Sequence, residues 1–262
     1  MLGDRGQAVA GPGLVTWVGH ATMLVEVAGV RVLTDPALTQ RLGHLRRRTA
    51  PPDESVRRTD VVLISHAHAD HLHRRSLRLV VDASPGATVV VPRGAAVHLP
   101  PAGSPRVEEV VAGDVVEHGG VRIEVVHADH SPFRSHVDKR EAAAVGYVIE
   151  GNGRRLWFAG DTDLFPELAD IGPVDLAAVP VSGWWKTLGA GHLDEERAAE
   201  AVELVAAARV LPIHWGTFSP EDMRGGLPRW LPETARRFER ALAERDLLDR
   251  LVRLEPGQTA RW

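Results

Sequence analysis

Six consecutive residues, His66-Ala67-His68-Ala69-Asp70-His71, carry four side chains able to ligate a metal ion. They follow residues 61–65, a continuous apolar run that reads as a buried strand. An extended turn leaving that strand can aim His66 and His68 to one side and Asp70 and His71 to another. Two neighbouring ions could then share one loop. A solvated turn can hold the same residue types by chance, but four ligand types in six residues is dense for that. Three further segments place a ligand-type residue just after an expected strand, where loops gather at a sheet edge. They are Val126-His127-Ala128-Asp129-His130-Ser131, Phe158-Ala159-Gly160-Asp161-Thr162-Asp163 and Pro212-Ile213-His214-Trp215-Gly216-Thr217-Phe218. Gly160 permits a tight turn that presents Asp161. A lone histidine after a strand is more often a core or surface residue than a ligand; four such loops together favour a metal centre.

The chain has no cysteine, which excludes disulfides, thiolate nucleophiles and Cys-ligated zinc. Histidine and carboxylate must therefore do the ligation, and thirteen histidines make that feasible. Two ions about 3.5–4 Å apart can hold a bridging water, lower its pKa toward about 7 and polarise a carbonyl or phosphoryl oxygen. The chemistry expected is metal-assisted hydrolysis by a metal-bridging hydroxide.

The elements that would position these residues run in two α/β stretches. Residues 14–18, 22–27 and 30–34 read as an antiparallel meander, and residues 36–56, rich in Arg and Pro, as a long surface loop. After residues 61–65 come a helix near 74–81 and strands at 88–91, 107–111, 115–117 and 121–127. Residues 143–150 and 154–158 form a hairpin about Gly151-Asn152-Gly153. The last third alternates strand 175–180, helix 193–207, strand 209–212 and helix 232–244. That order predicts an α/β class and a layered sandwich rather than a barrel. Residues 1–13 read as a flexible tail and residues 14–262 as one domain.

With these motifs in place, the sequence resembles the metallo-β-lactamase-fold hydrolases, whose signature is H-x-H-x-D-H followed by a His, a bridging Asp and a last His. Within them it is most similar to the branch of N-acyl-phosphatidylethanolamine phospholipase D and the ascorbate-6-phosphate lactonases. The branch features are Thr16-Trp17-Val18-Gly19-His20-Ala21-Thr22, Leu33-Thr34-Asp35-Pro36, Gly160-Asp161-Thr162 and His214-Trp215-Gly216-Thr217-Phe218. The resemblance implies a four-layer αβ/βα sandwich with the metals at one edge of two sheets. It implies that His66, His68 and His130 hold a first ion, that Asp70, His71 and His214 hold a second, and that Asp161 bridges them. His68 stands where the iron-binding redox members tend to carry Glu, so two Zn²⁺ per chain are expected, with Mn²⁺ or Fe²⁺ compatible with the ligand types. Asp70 is also expected to accept a proton or orient the hydroxide. His192 matches a histidine lining the active site of the phospholipase branch, where it could donate to an oxyanion or leaving group; a helix-capping or surface residue is the alternative.

His20 and Asp35 can orient ligand imidazoles from behind, and His20 can equally be a buried, hydrogen-bonded histidine with no such task. The phospholipase-like members usually have Pro and Trp where this chain has His127 and Ser131, so the pattern is closer to the lactonases; His130, not His127, is in register as the ligand. His73 reads as solvated. Trp184 and Trp185 can line an apolar pocket or pack at the core edge. Arg46-Arg47-Arg48 can be a solvated loop or a grip on phosphate or carboxylate.

A net charge of -4 gives no global attraction to nucleic acid, which sets a nucleic-acid-processing phosphodiesterase below a hydrolase of small phosphodiesters, lactones or related esters. A metal-binding protein without catalysis is the third reading. No stretch approaches the roughly 18 apolar residues of a membrane helix, and no signal peptide is evident, so a cytoplasmic location is expected. A homo-oligomer is compatible with the sequence.

Overall fold

The computed structural model describes residues 12–101, 106–135, 137–182, 188–220 and 230–262. The first eleven residues of the expected tail, together with Trp184 and Trp185, lie outside the described residues.

Apolar runs set up two sheets. One has seven strands: β1 (Leu14–Gly19), β2 (Thr22–Val27), β3 (Val30–Thr34), β6 (Val61–Leu63), β7 (Thr88–Pro92), β8 (Arg106–Val110) and β16 (Thr259–Arg261), in spatial order β16-β1-β2-β3-β6-β7-β8. The other has β9 (Val115–His118), β10 (Val121–His127), β11 (Val145–Gly151), β12 (Arg154–Phe158), β13 (Leu176–Pro180) and β14 (Val210–Ile213), in order β14-β13-β12-β11-β10-β9. The opening strands form the expected antiparallel meander.

Side chains alternate between the faces of a strand, so a strand buried on both sides feeds two cores. Val61, Leu63, Val90, Tyr147, Ile149, Leu156, Phe158, Leu176 and Ala178 fill the space between the sheets. Their neighbours Val62, Ile64, Val89 and Val91 instead meet Leu77, Val80 and Val81 of helix α1 (Arg74–Ala83). On the far side, Val148, Trp157, Ala177 and Val179 meet α2 (Glu195–Leu204) and α3 (Trp230–Ala243) through Ala198, Ala201, Val202, Phe238 and Leu242. The result is the four-layer αβ/βα sandwich expected from the sequence. Each fully buried Val, Leu or Phe in it contributes about 1.5–3 kcal/mol.

One expectation needs correction. Residues 36–56 are not simply a surface loop: β4 (Arg41–Leu42) and β5 (Leu45–Arg47) pair with β15 (Phe218–Pro220) as a three-stranded sheet. Ala37, Leu42, Leu45 and Phe218 form its small apolar core. Helix α2 is also shorter than the sequence pattern suggests. Asp194 caps its start by accepting from the Arg197 N–H, and it ends at Leu204, with Val205 as the C-cap before Ala206 turns left-handed.

Strand direction brings the chemistry together. β3, β6, β7 and β8 run parallel, and β1 shares their direction because β2 is antiparallel to both β1 and β3. In the second sheet β12, β13 and β14 run parallel, and β10 shares their direction through β11. His20, Asp35, His66, His130, Asp161 and His214 all come shortly after the C-terminal ends of these like-directed strands.

Candidate metal centre

The loops meet where the two sheets abut. Gly160, at φ +64°, sits so close to the preceding metal-motif loop that an added Cβ would lie 2.6 Å from the Ser65 Cβ. This contact sets the Asp161 loop against the His66 loop, and a Val145 N–H bond to the Ser65 carbonyl (2.9 Å) ties the start of β11 to the same place. The motif itself is a turn in which the His71 and Leu72 N–H groups both reach the His68 carbonyl, with Leu72 buried as its plug. His20, Asp35 and His214 are non-glycine residues at φ 55°, 30° and 65°. Such backbone costs about 1–3 kcal/mol each and persists where surrounding structure enforces it.

His66, His68 and His130 form one group of donor atoms; Asp70, His71, His214 and His20 form another. The His66 Nε2 and His130 Nε2 each lie 3.0 Å from the His68 Nδ1. The His71 Nε2 and His214 Nε2 stand 3.1 Å apart. Asp161 lies between the groups, its Oδ2 at 3.2 Å from His71, 3.5 Å from His214 and 4.0 Å from His66. Asp70 Oδ2 is 3.8 Å from His71 and 3.9 Å from His214. The structure thus brings together all seven expected ligands.

The partners behind the rings fix which nitrogen carries the proton. The His214 Nδ1 donates to the Ser182 carbonyl (2.7 Å) and the His130 Nδ1 to the Gly191 carbonyl (2.6 Å), because a carbonyl can only accept. The His71 Nδ1 donates to the Asp35 carboxylate (2.7 Å). Ser65 gives its hydroxyl proton to Asp35 (2.5 Å), so the His66 Nδ1 donates to the Ser65 oxygen (2.9 Å). All four Nε2 atoms therefore turn lone pairs toward the centre. Facing lone pairs 3.1 Å apart need a cation between them, whether a proton or a metal ion.

The electrostatics agree. Burial works against a charged His71, yet Asp161 and Asp70 outweigh it and raise this ring well above the ordinary histidine value. Burial also works against the Asp161 anion, but His214 and His71 hold it well below the usual carboxylate range. Burial keeps His66 far below its ordinary value and lowers His130 to about 4, so both are neutral and free to ligate. The buried Asp161 Oδ1 has no hydrogen-bond partner among the described residues. An uncompensated buried carboxylate oxygen beside convergent imidazoles fits a metal ion.

The sequence expectation for Asp35 holds: one wholly buried carboxylate orients His71 directly and His66 through Ser65. His20 acts differently from that expectation. Burial first, then His214, lowers it to about 3, and its neutral ring donates from Nε2 to Asp70 (3.2 Å), orienting a carboxylate rather than an imidazole. His192 stands at the rim with its Nε2 3.8 Å from Asp161 Oδ2 and its ring against His130; its Nδ1 donates to the Gly189 carbonyl (3.2 Å). His127 is exposed and packs edge-on against Phe165, outside the cluster. His73 is not merely solvated: it caps α1 by accepting from the Ser76 N–H.

Two of the three arginines are already committed. Arg47 is buried, donates to the carbonyls of Ala37, Val18 and Thr39, and lies 4.7 Å over the Phe218 ring. Arg48 donates to the Ser219 hydroxyl and the Pro220 carbonyl. Neither is placed to grip a phosphate; both pin the small sheet. Sequence reasoning missed Ser65, Ser182 and Gly191. Ser65 adjoins the motif and was within reach, but the other two act through backbone carbonyls that no side chain advertises.

Comparison with known proteins places this architecture. The Beta-lactamase superfamily domain matches residues 30–215. A metal-dependent hydrolase of Methanopyrus kandleri is 32% identical over 252 residues, 94% of this chain and 98% of the relative. An N-acyl-phosphatidylethanolamine-hydrolyzing phospholipase D of Caenorhabditis elegans is 31% identical over 227 residues, 78% of this chain and 64% of that longer protein. The solved structure of a metallo hydrolase from the archaeon Ignicoccus hospitalis superposes with a TM-score of 0.72 at 24% identity, over 96% of this chain and 99% of the other, which shows the shared fold. The chain belongs to the β-lactamase superfamily, as one of its metal-dependent hydrolases.

Proposed function

We propose that the centre holds two zinc ions and hydrolyses a small phosphodiester, lactone or related ester. His66, His68 and His130 would hold one ion, Asp70, His71 and His214 the other, and Asp161 would serve both. The observation that carries this reading is the set of four Nε2 atoms turned inward by Asp35, Ser65, Ser182 and Gly191, around a carboxylate oxygen that has no hydrogen-bond partner among the described residues. A nitrogen-only first group favours zinc over oxygen-loving ions. When bound, the pair of ions supplies a water acidified toward neutral pH and a Lewis acid for the ester oxygen.

The chain's own residues do the rest. Asp70, held by the His20 N–H, keeps an oxygen facing the centre where it can take a proton from the attacking water. His192, with Nδ1 committed to Gly189, presents Nε2 at the rim and can pass a proton to the leaving oxygen after accepting one. The test is turnover by zinc-loaded protein of bis(p-nitrophenyl) phosphate and a panel of lactones, with Asp161→Ala as the control. Turnover that disappears in that variant supports the reading. Two bound zincs with no turnover across the panel would favour a non-catalytic metal protein, and activity confined to structured RNA a nuclease.

A further inference from the structure

The two halves of the centre rest on different supports, and one support lies outside everything assigned so far. The Gly191 carbonyl is the sole hydrogen-bond brace on the far nitrogen of His130 among the described residues. Gly191 sits at φ +80° with its Cα face pressed against His130: an added Cβ would lie 3.2 Å from the Nδ1, 3.3 Å from the Cα and 3.4 Å from the Asp129 carbonyl oxygen. Its own N–H donates to Asp163 Oδ2 (3.3 Å). The other oxygen of Asp163 accepts from the Leu164 N–H (2.8 Å) and is paired with Arg197, on the first turn of α2. The Asp163 N–H in turn donates to the Asp129 carbonyl (2.9 Å), while the Asp129 N–H donates to the Thr162 hydroxyl (2.9 Å).

We propose that Asp163 and Arg197 are positioning residues that set the first zinc site: they fix Gly191, and through its carbonyl the His130 imidazole. The strut ties three loops, those of His130, Asp161 and Gly191, to a helix that packs on the sheet. Among the braced ligand imidazoles it bears on His130, because His66, His71 and His214 are braced by Ser65, Asp35 and Ser182 instead. His192, next to Gly191, is carried by the same strut. The inference rests on the two-ion reading above.

The test is calorimetric zinc titration of the metal-free full chain, wild type beside Asp163→Ala, Asp163→Asn and Arg197→Met, with thermal unfolding of each metal-free protein. Supporting carbonyls and carboxylates behind ligand histidines are worth about 10- to 100-fold in metal affinity. Asp163→Ala should weaken one class of zinc site by about that factor and leave the other unchanged. Asp163→Asn, which keeps an oxygen for the Gly191 N–H, should recover part of the loss. Arg197→Met removes a half-exposed side chain and should act in the same direction, more weakly. If Asp163→Ala left both classes unchanged, or weakened both alike with a lowered unfolding midpoint, the strut would be structural and the inference wrong. A wild type that takes up a single zinc ion would remove the two-ion reading and the inference with it, a result distinguishable because it precedes any variant.

Discussion

The two halves of the histidine cluster are built on different ground. His71 and His214 are buried, and their Nδ1 atoms are tied to an interior carboxylate and to a carbonyl just beyond β13. His68 and His130 are only partly buried; His130 leans on the Gly191 loop, and His68 has no hydrogen bond to its second nitrogen among the described residues. A buried, pre-oriented side chain holds an ion tightly because little is lost in ordering it, whereas a part-exposed one exchanges more readily with solvent. The comparison teaches that a symmetric-looking ligand list conceals unequal support, with His66 as the one buried and braced ring among His66, His68 and His130, and Asp70 the part-exposed member of the other group.

That contrast can be broken at several points. The largest effect belongs to Asp161, which faces both halves: Asp161→Ala should abolish turnover and leave no more than one tightly held zinc, counted by elemental analysis after gel filtration. Next is Asp35→Asn. Because Asp35 serves His71 directly and His66 through Ser65, it should weaken both zinc classes, each by about 10- to 100-fold, read by competition with a coloured chelator. Loss confined to one class would show that the Ser65 relay is idle. The smallest effect on the centre comes from Arg47→Met. It leaves the Ala37 and Val18 carbonyls short of a donor, at a cost of about 1–3 kcal/mol per buried group, so denaturant unfolding should shift while zinc stoichiometry stays at the wild-type value.

The sequence made the strands legible wherever an apolar run was long enough to show a period or to be buried on both faces. The second, third, tenth and twelfth strands have the bounds expected from the sequence. It did not reveal β4, β5, β15 or β16, which have two or three residues each and no period to read. A run of three arginines also disguised the small sheet, since burial of Arg47 depends on carbonyls and a phenyl ring from distant segments. The candidate site was legible as a set of residue types, because ligand chemistry restricts them to His and Asp. Its orientation was not. Which nitrogen faces inward is decided for His214 and His130 by the backbone carbonyls of Ser182 and Gly191, and for His71 and His66 by Asp35 and Ser65.

The most direct test of the central claim is anomalous diffraction at the zinc edge from crystals of the zinc-loaded protein. The account predicts two peaks per chain, one ringed by His66, His68 and His130, the other by Asp70, His71 and His214, with Asp161 reaching both. A single peak, or peaks away from these side chains, would contradict it.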